Sequence, residues 1–182
     1  MVEQFKFLFQ DLKRWEIKSI EDCFYTIFEQ GVWAVILYRL SRALYLINIP
    51  ILKYFIKIIA FLIFKFSELF LGISLSPGTE IGPGLCISHT GVIVIHYKVK
   101  AGKNLELGHL VTIGERGSRY QGAPVIGDNV CIHTGAKVLG QIRIGNNVKI
   151  GANAVVIHDI PDNATAVGVP AKIVKVRNER SV

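Results

Sequence analysis

From Ile126 onward every sixth residue is aliphatic: Ile126, Ile132, Val138, Ile144, Ile150 and Val156. The residues four positions after each, Val130, Ala136, Ile142, Val148, Ala154 and Ile160, are also small or aliphatic. A six-residue period excludes an amphipathic helix, whose apolar face repeats at 3.6, and no plain alternating strand skips in this manner. Each hexapeptide therefore supplies a short strand and a turn with one aliphatic side chain pointing inward, and three hexapeptides close one coil of a parallel β-helix. Glycine or a small polar residue after the aliphatic, as in Ile126-Gly127-Asp128-Asn129 and Ile144-Gly145-Asn146-Asn147, suits corners that need positive φ.

The same register runs upstream through Ile95, Ala101, Leu107 and Ile113, whereas Leu75, Ile81, Ile87 and Ile93 follow a phase offset by two. A bend or bulge near Ile93 to Ile95 is expected. Ile113 and Ile126 are thirteen apart instead of twelve, and the polar stretch from Glu115 to Pro124 has no good inward aliphatic, so it reads as a loop thrown out of the coil.

The rest of the chain has a different composition. Sixteen of the eighteen aromatic residues precede residue 72, and sixteen of the seventeen glycines lie from Gly72 onward. Apolar residues in 1–71 recur at helical spacing, with Gly31 and Pro50 as the expected breaks. Ser19, with Asp22 three residues on, would start a helix through Phe28; a second would span about 32–45 and a third about 51–70. The expected organisation is a helical domain at 1–72, a β-helix at 73–176 and a tail at 177–182. The helices would cap one end of the coil stack and Val169 to Val176 the other.

The third helix is mostly Ile, Phe and Leu, but Lys53, Lys57 and Lys65 interrupt it, so it is no membrane span. At 100° per residue the lysines fall within an arc of about 120°, opposite a broad apolar face. That face suits packing on other helices, in the same chain or a second subunit; peripheral contact with an anionic membrane surface is the alternative. The first residues read as no signal peptide. Cys23, Cys86 and Cys131 form neither a disulfide framework nor a metal-ligand spacing, so a reduced cytoplasmic setting is expected, in reach of the inner membrane face. The net charge of +7 is spread over both halves without an aromatic-interleaved patch, which argues against nucleic-acid binding.

These residues resemble the hexapeptide-repeat acyltransferases, and within them the serine acetyltransferase branch. The likeness covers about residues 30 to 176: Gly31-Val32-Trp33-Ala34-Val35 and Leu37-Tyr38-Arg39, then Ile73-Ser74-Leu75-Ser76-Pro77-Gly78 and Ile81-Gly82-Pro83-Gly84, then Ala166-Val167-Gly168-Val169-Pro170-Ala171-Lys172-Ile173-Val174. The resemblance implies a mainly β fold, a left-handed parallel β-helix behind a small α-helical N-terminal domain. It implies a homotrimer, with acetyl-CoA in a groove between coils and no metal; in serine acetyltransferases the helical domain also joins two trimers.

Moving acetyl from a thioester to a hydroxyl needs a base for the hydroxyl proton, and imidazole suits that near neutrality. By resemblance the catalytic histidine is His89, in Cys86-Ile87-Ser88-His89-Thr90-Gly91, two positions after an inward aliphatic. His109 holds the same register after Leu107 and is the second candidate, while His96, His133 and His158 are expected at turns. Neither Cys86 nor Cys131 has a supporting base at a readable spacing, so direct attack without an acyl-enzyme is expected, with backbone amides stabilising the oxyanion. By resemblance Gly114, Thr134, Ala152 and Lys172 line the acetyl-CoA groove, and Arg116 and Arg119 are weaker candidates for the acceptor.

The sequence departs from the branch where acceptor binding is at stake. The branch carries acids or a histidine at the positions of Ser74, Ser76 and Ser88, and an Arg-His pair where this chain has Gly122 and Ala123 before Pro124. A zwitterionic serine would lose those partners. The expected acceptor is therefore a saccharide hydroxyl, on a surface polysaccharide or its precursor; serine O-acetylation in cysteine biosynthesis is the alternative, and a catalytically inactive, structural or binding β-helix the reading from another class.

Overall fold

A computed structural model describes residues 2–15, 19–89, 91–117 and 122–177. Four α-helices lead the chain: α1 (Val2–Leu12), followed by a 3-10 turn at Lys13–Trp15, α2 (Ile20–Phe28), α3 (Gln30–Tyr45) and α4 (Leu52–Leu71). Ser19 caps α2, its hydroxyl accepting from the Asp22 amide at 3.0 Å as the sequence led one to expect. Gly72, left-handed at φ 68, ends α4.

Gly31 is no helix break. The chain turns instead at Glu29, extended at ψ 121, and Gly31 lies inside α3. A Cβ there would stand 2.1 Å from the carbonyl oxygen of Ile87. The missing side chain lets a helix lie directly on the backbone of the β-helix.

Three short strands make each coil. The first coil holds β1 (Ile73–Leu75), β2 (Glu80–Ile81) and β3 (Cys86–Ile87), the second β4 (Ile93–Ile95), β5 (Lys100–Ala101) and β6 (Glu106–Leu107). The third holds β7 (Thr112–Gly114), β8 (Val125–Ile126) and β9 (Cys131–Ile132), and the fourth β10 (Lys137–Leu139), β11 (Arg143–Ile144) and β12 (Lys149–Ile150). β13 (Val155–Val156), a bridge from Ile160 to Ile144, and β14 (Ala164–Val167) continue the stack, and β15 (Lys172–Val176) folds back antiparallel on β14. The strands stack into three parallel sheets, β1-β4-β7-β10-β13, β2-β5-β8-β11 and β3-β6-β9-β12-β14, the last extended by β15. The inward series from Ile81 to Ala166 forms one aliphatic column, buried but for the half-buried Ala101.

Register corrects two expectations. Ile73 pairs with Ile93 and Cys86 with Glu106, twenty positions on, whereas Ile95 pairs with Ile113, eighteen on. The two extra residues therefore lie in the corner between β3 and β4, not at Ile93 to Ile95, which is regular strand with both isoleucines buried. Ala101 pairs with Ile126, twenty-five positions on, so the thirteen residues after Ile113 replace one hexapeptide rather than two. The loop carries seven extra residues.

The helices close the open end of the first coil through polar groups. Asp11 of α1 and Arg39 of α3 form a buried ion pair at 2.7 Å. The Asp11 carboxylate also accepts from the Gly84 and Leu85 amides at 2.7 and 2.8 Å, and the Arg39 guanidinium donates to the Ile81 and Gly82 carbonyls at 2.8 and 2.6 Å. Tyr38 adds a bond from its hydroxyl to the Thr79 carbonyl at 2.8 Å, and burial pushes that phenol above its ordinary pKa. Backbone groups that no further coil would satisfy are thereby paired.

Candidate active site

The two-residue insertion between β3 and β4 builds the site. Ile87 turns its side chain into the core, and His89, two residues later, takes a left-handed φ of 69 that carries its exposed ring off the corner. His109 occupies the equivalent corner after β6. The two rings meet edge to face, centroids 6.1 Å apart, and His109 Nδ1 stands 3.4 Å from the Thr134 hydroxyl. Gly91 permits this approach, since a Cβ there would come within 2.9 Å of the His109 Cβ.

The pairings Ile87–Leu107–Ile132–Ile150–Ala166 put His89, His109, Thr134 and Ala152 on one column of corners running along the stack. Lys172 is exposed and pairs with Val167, beside the end of that column. Gly114 and Arg116 belong elsewhere. Gly114 ends β7 and Arg116 follows it, at the opposite edge of its sheet, one strand length of about 10 Å from the histidine corners. Arg119 lies outside the described residues. His96 and His158 sit beside strand ends away from that column, while His133 directly precedes Thr134 within it.

His89 opens onto a cavity of about 500 Å3 between the first two coils and the N-terminal helices. Ser88, Cys86 and Glu106 line it from the coils; Arg14 and Trp15 from the 3-10 turn, Tyr25 and Thr26 from α2, and Glu29 line it from the helices. Arg14 Nη2 donates to Glu106 Oε2 at 3.1 Å, a half-exposed pair whose partners cost little to exchange. The imidazole thus shares one cavity with a guanidinium and two carboxylates. Sequence reasoning missed all three charges, because they lie in the first 30 residues and in a strand that carries no motif.

Cys86 stands in the same cavity, and burial pushes its thiol pKa up, keeping it protonated near neutrality. Cys131 does meet a base, contrary to expectation: His133 Nε2 is 3.7 Å from its sulfur. Burial pushes that thiol up as well. Among the described residues no group of three or more His, Cys, Asp or Glu side chains is placed to hold a metal.

The three serines at the departing positions do different work. Ser76 accepts from the Gly78 amide at 3.3 Å. Ser74 bonds Glu68, whose carboxyl is held below its ordinary pKa first by Lys65 and then by that hydroxyl. Ser88 alone faces the cavity.

Known proteins carry the same architecture. The family model for bacterial transferase hexapeptide, six repeats, matches residues 123–158. A serine acetyltransferase of Bacillus subtilis (strain 168) is 39% identical over 156 residues, 84% of this chain and 67% of the relative. The chain belongs to the serine acetyltransferase family. A second relative named serine acetyltransferase, from Staphylococcus xylosus, is 44% identical over 127 residues, 68% of this chain and 57% of its own length. The chain thus spans between about half and two thirds of these relatives.

Solved structures agree. Neisseria gonorrhoeae serine acetyltransferase superposes with a TM-score of 0.83 at 32% identity over 98% of this chain and 68% of its own. The same enzyme in complex with serine gives 0.80 at 33% over 94% and 69%. A serine acetyltransferase from Brucella abortus strain S19 in complex with coenzyme A gives 0.82 at 28% over 97% and 69%. Membership in this family makes the chain an acetyl-CoA-dependent acyltransferase.

These relatives overturn the expected saccharide acceptor. That expectation weighed the family's motif positions alone, and Ser74, Ser76 and Ser88 do lack their charges. The cavity brings charge to the histidine from Arg14, Glu29 and Glu106 instead. The inactive-solenoid reading finds no support among relatives named for acetyl transfer.

Proposed function

We propose that the protein is a serine O-acetyltransferase that moves acetyl from acetyl-CoA to the serine hydroxyl. The observation that carries this reading is the cavity in which His89 faces one guanidinium and two carboxylates. Arg14 suits the substrate carboxylate, and Glu29 and Glu106 suit its ammonium. The hydroxyl proton passes to the His89 imidazole as the oxygen attacks the thioester carbonyl, and the C–S bond breaks as the tetrahedral intermediate collapses. The imidazolium returns its proton to the departing CoA thiolate, giving O-acetylserine and CoA. With both thiols held protonated by burial, no acyl-enzyme is needed.

Acetyl-CoA would run along the corner column past Thr134 and Ala152, with Lys172 meeting its phosphates. The family likeness supports left-handed winding and a homotrimer; Gly114 and Arg116, at the other sheet edge, would then join the site from a neighbouring subunit. The test is steady-state CoA release with serine, with ethanolamine and with 3-hydroxypropionate. This reading predicts turnover on serine and at least about tenfold lower kcat/KM on each acceptor lacking one charge, the value of a single charged hydrogen bond. Equal turnover on all three would contradict it.

A further inference from the structure

His109 is seated half-buried between two coils. On the side of the third coil its Nδ1 stands 3.4 Å from the Thr134 hydroxyl, and its backbone carbonyl accepts from the Gly135 amide at 2.9 Å. On the side of the first coil lies Gly91, where a Cβ would come 2.9 Å from the His109 Cβ and 3.7 Å from its Cδ2. Gly108 completes the seat, since a Cβ there would come 2.6 Å from the Thr134 amide nitrogen and 2.9 Å from its hydroxyl oxygen. Two glycines thus open the space in which this imidazole takes one orientation.

That orientation decides which nitrogen is free. Nδ1 faces Thr134 and Cδ2 faces Gly91, so Nε2, the ring nitrogen bonded to Cδ2, is left on the first-coil side, toward His89. The two rings, edge to face with centroids 6.1 Å apart, are too distant to hydrogen-bond to each other. The gap suits a reacting group between them. A hydroxyl oxygen hydrogen-bonded to one ring attacks a carbonyl carbon about 3 Å on, and the oxygen of that carbonyl then falls within reach of the other ring. The direction of approach agrees: the acceptor cavity is lined from the first two coils and the helices, whereas CoA running along the corner column passes Thr134 and then His109 before its thioester meets His89.

We propose that His109 is a second catalytic residue, whose Nε2–H donates to the carbonyl oxygen of the acetyl thioester, while the Thr134 hydroxyl donates to Nδ1 and so keeps the proton on Nε2. The sequence led one to expect backbone amides in that role; here a side chain fills it. As the serine oxygen bonds to the carbonyl carbon, the C=O pair moves onto the oxygen and the hydrogen bond from Nε2 strengthens. As the C–S bond breaks, the pair returns. His109 keeps its proton throughout, and the proton that moves is the one His89 carries. The inference rests on acetyl transfer at His89, but its first readout needs no acceptor.

That readout is the infrared carbonyl band of acetyl-CoA, isotopically labelled at the carbonyl carbon and bound to the full chain without serine. The band should lie at lower wavenumber than in free acetyl-CoA. The shift should vanish in His109→Ala, shrink in Thr134→Val, and survive both in His89→Ala and in His109→Gln, whose amide N–H can reach the place of Nε2. With serine, His109→Ala should lower kcat by about 10²–10³ with the Kd for CoA unchanged, and His109→Gln should keep most of the parent rate. A band unshifted in the parent, or equally shifted in His109→Ala, would overturn the proposal. So would a Kd for CoA that rises in step with the loss of kcat, since His109 would then only hold the CoA. A parent that shows the shifted band but no turnover on serine would sink the acceptor reading and leave this one standing.

Discussion

At the residue scale, the proposed site has one side chain that would react, His89, and several that would hold the substrate. His89 was legible because its motif and its register agree: a histidine two positions after an inward aliphatic stands at a coil corner. Arg14, Glu29 and Glu106 were not, because Arg14 and Glu29 come to the cavity from the helical half of the chain and Glu106 from β6, a strand without a motif. Replacing Arg14 by alanine should raise KM for serine about tenfold or more with a smaller change in kcat, as expected for a group that binds ground state and transition state alike. Cys86→Ala and Cys131→Ala should each leave kcat within a few-fold of the parent. Thiols held up by burial also predict slow alkylation at neutral pH that quickens only as the medium turns alkaline, readable by mass after timed iodoacetamide treatment.

At the scale of elements, the hexapeptide pattern carried nearly all of the coil. It misplaced the insertion before β4 because Ile93 and Ile95 are both buried, so the phase could change on either side of them. The true place is the corner that carries His89, where two added residues swing the ring away from the aliphatic column. Gly31 was misread for a physical reason: a glycine in a helical sequence suggests a turn, and only packing reveals that its hydrogen is needed against Ile87. Gly31→Ala should cost about 1–3 kcal/mol as overpacking, read from the urea midpoint. Asp11→Ala should cost more, about 3–5 kcal/mol, because it strands Arg39 buried with no counter-charge. No motif announced that pair, which joins α1 to the first coil through α3.

For the whole molecule, the helices have two tasks on opposite counts: they seal the first coil with buried polar bonds, and they wall one side of the cavity at His89. A β-helix alone would present the histidine on an open corner. The composition boundary near residue 72 showed that two architectures share the chain, but not that the site lies at their junction, since composition has no geometry. Ligand binding to the folded form should therefore stabilise both parts together. CoA at about 100 times its Kd should add about 2.7 kcal/mol and move a single unfolding transition upward; Lys172→Ala should shrink that gain.

The central claim is that His89 takes the proton from serine within this cavity, and CoA release from acetyl-CoA with free serine, parent against His89→Ala, tests it most directly. The account predicts turnover by the parent and a loss of about 10²–10⁴ in kcat for the variant, with CoA binding retained. Equal rates in the two proteins, or a parent that binds CoA yet releases none from acetyl-CoA with serine, would contradict it.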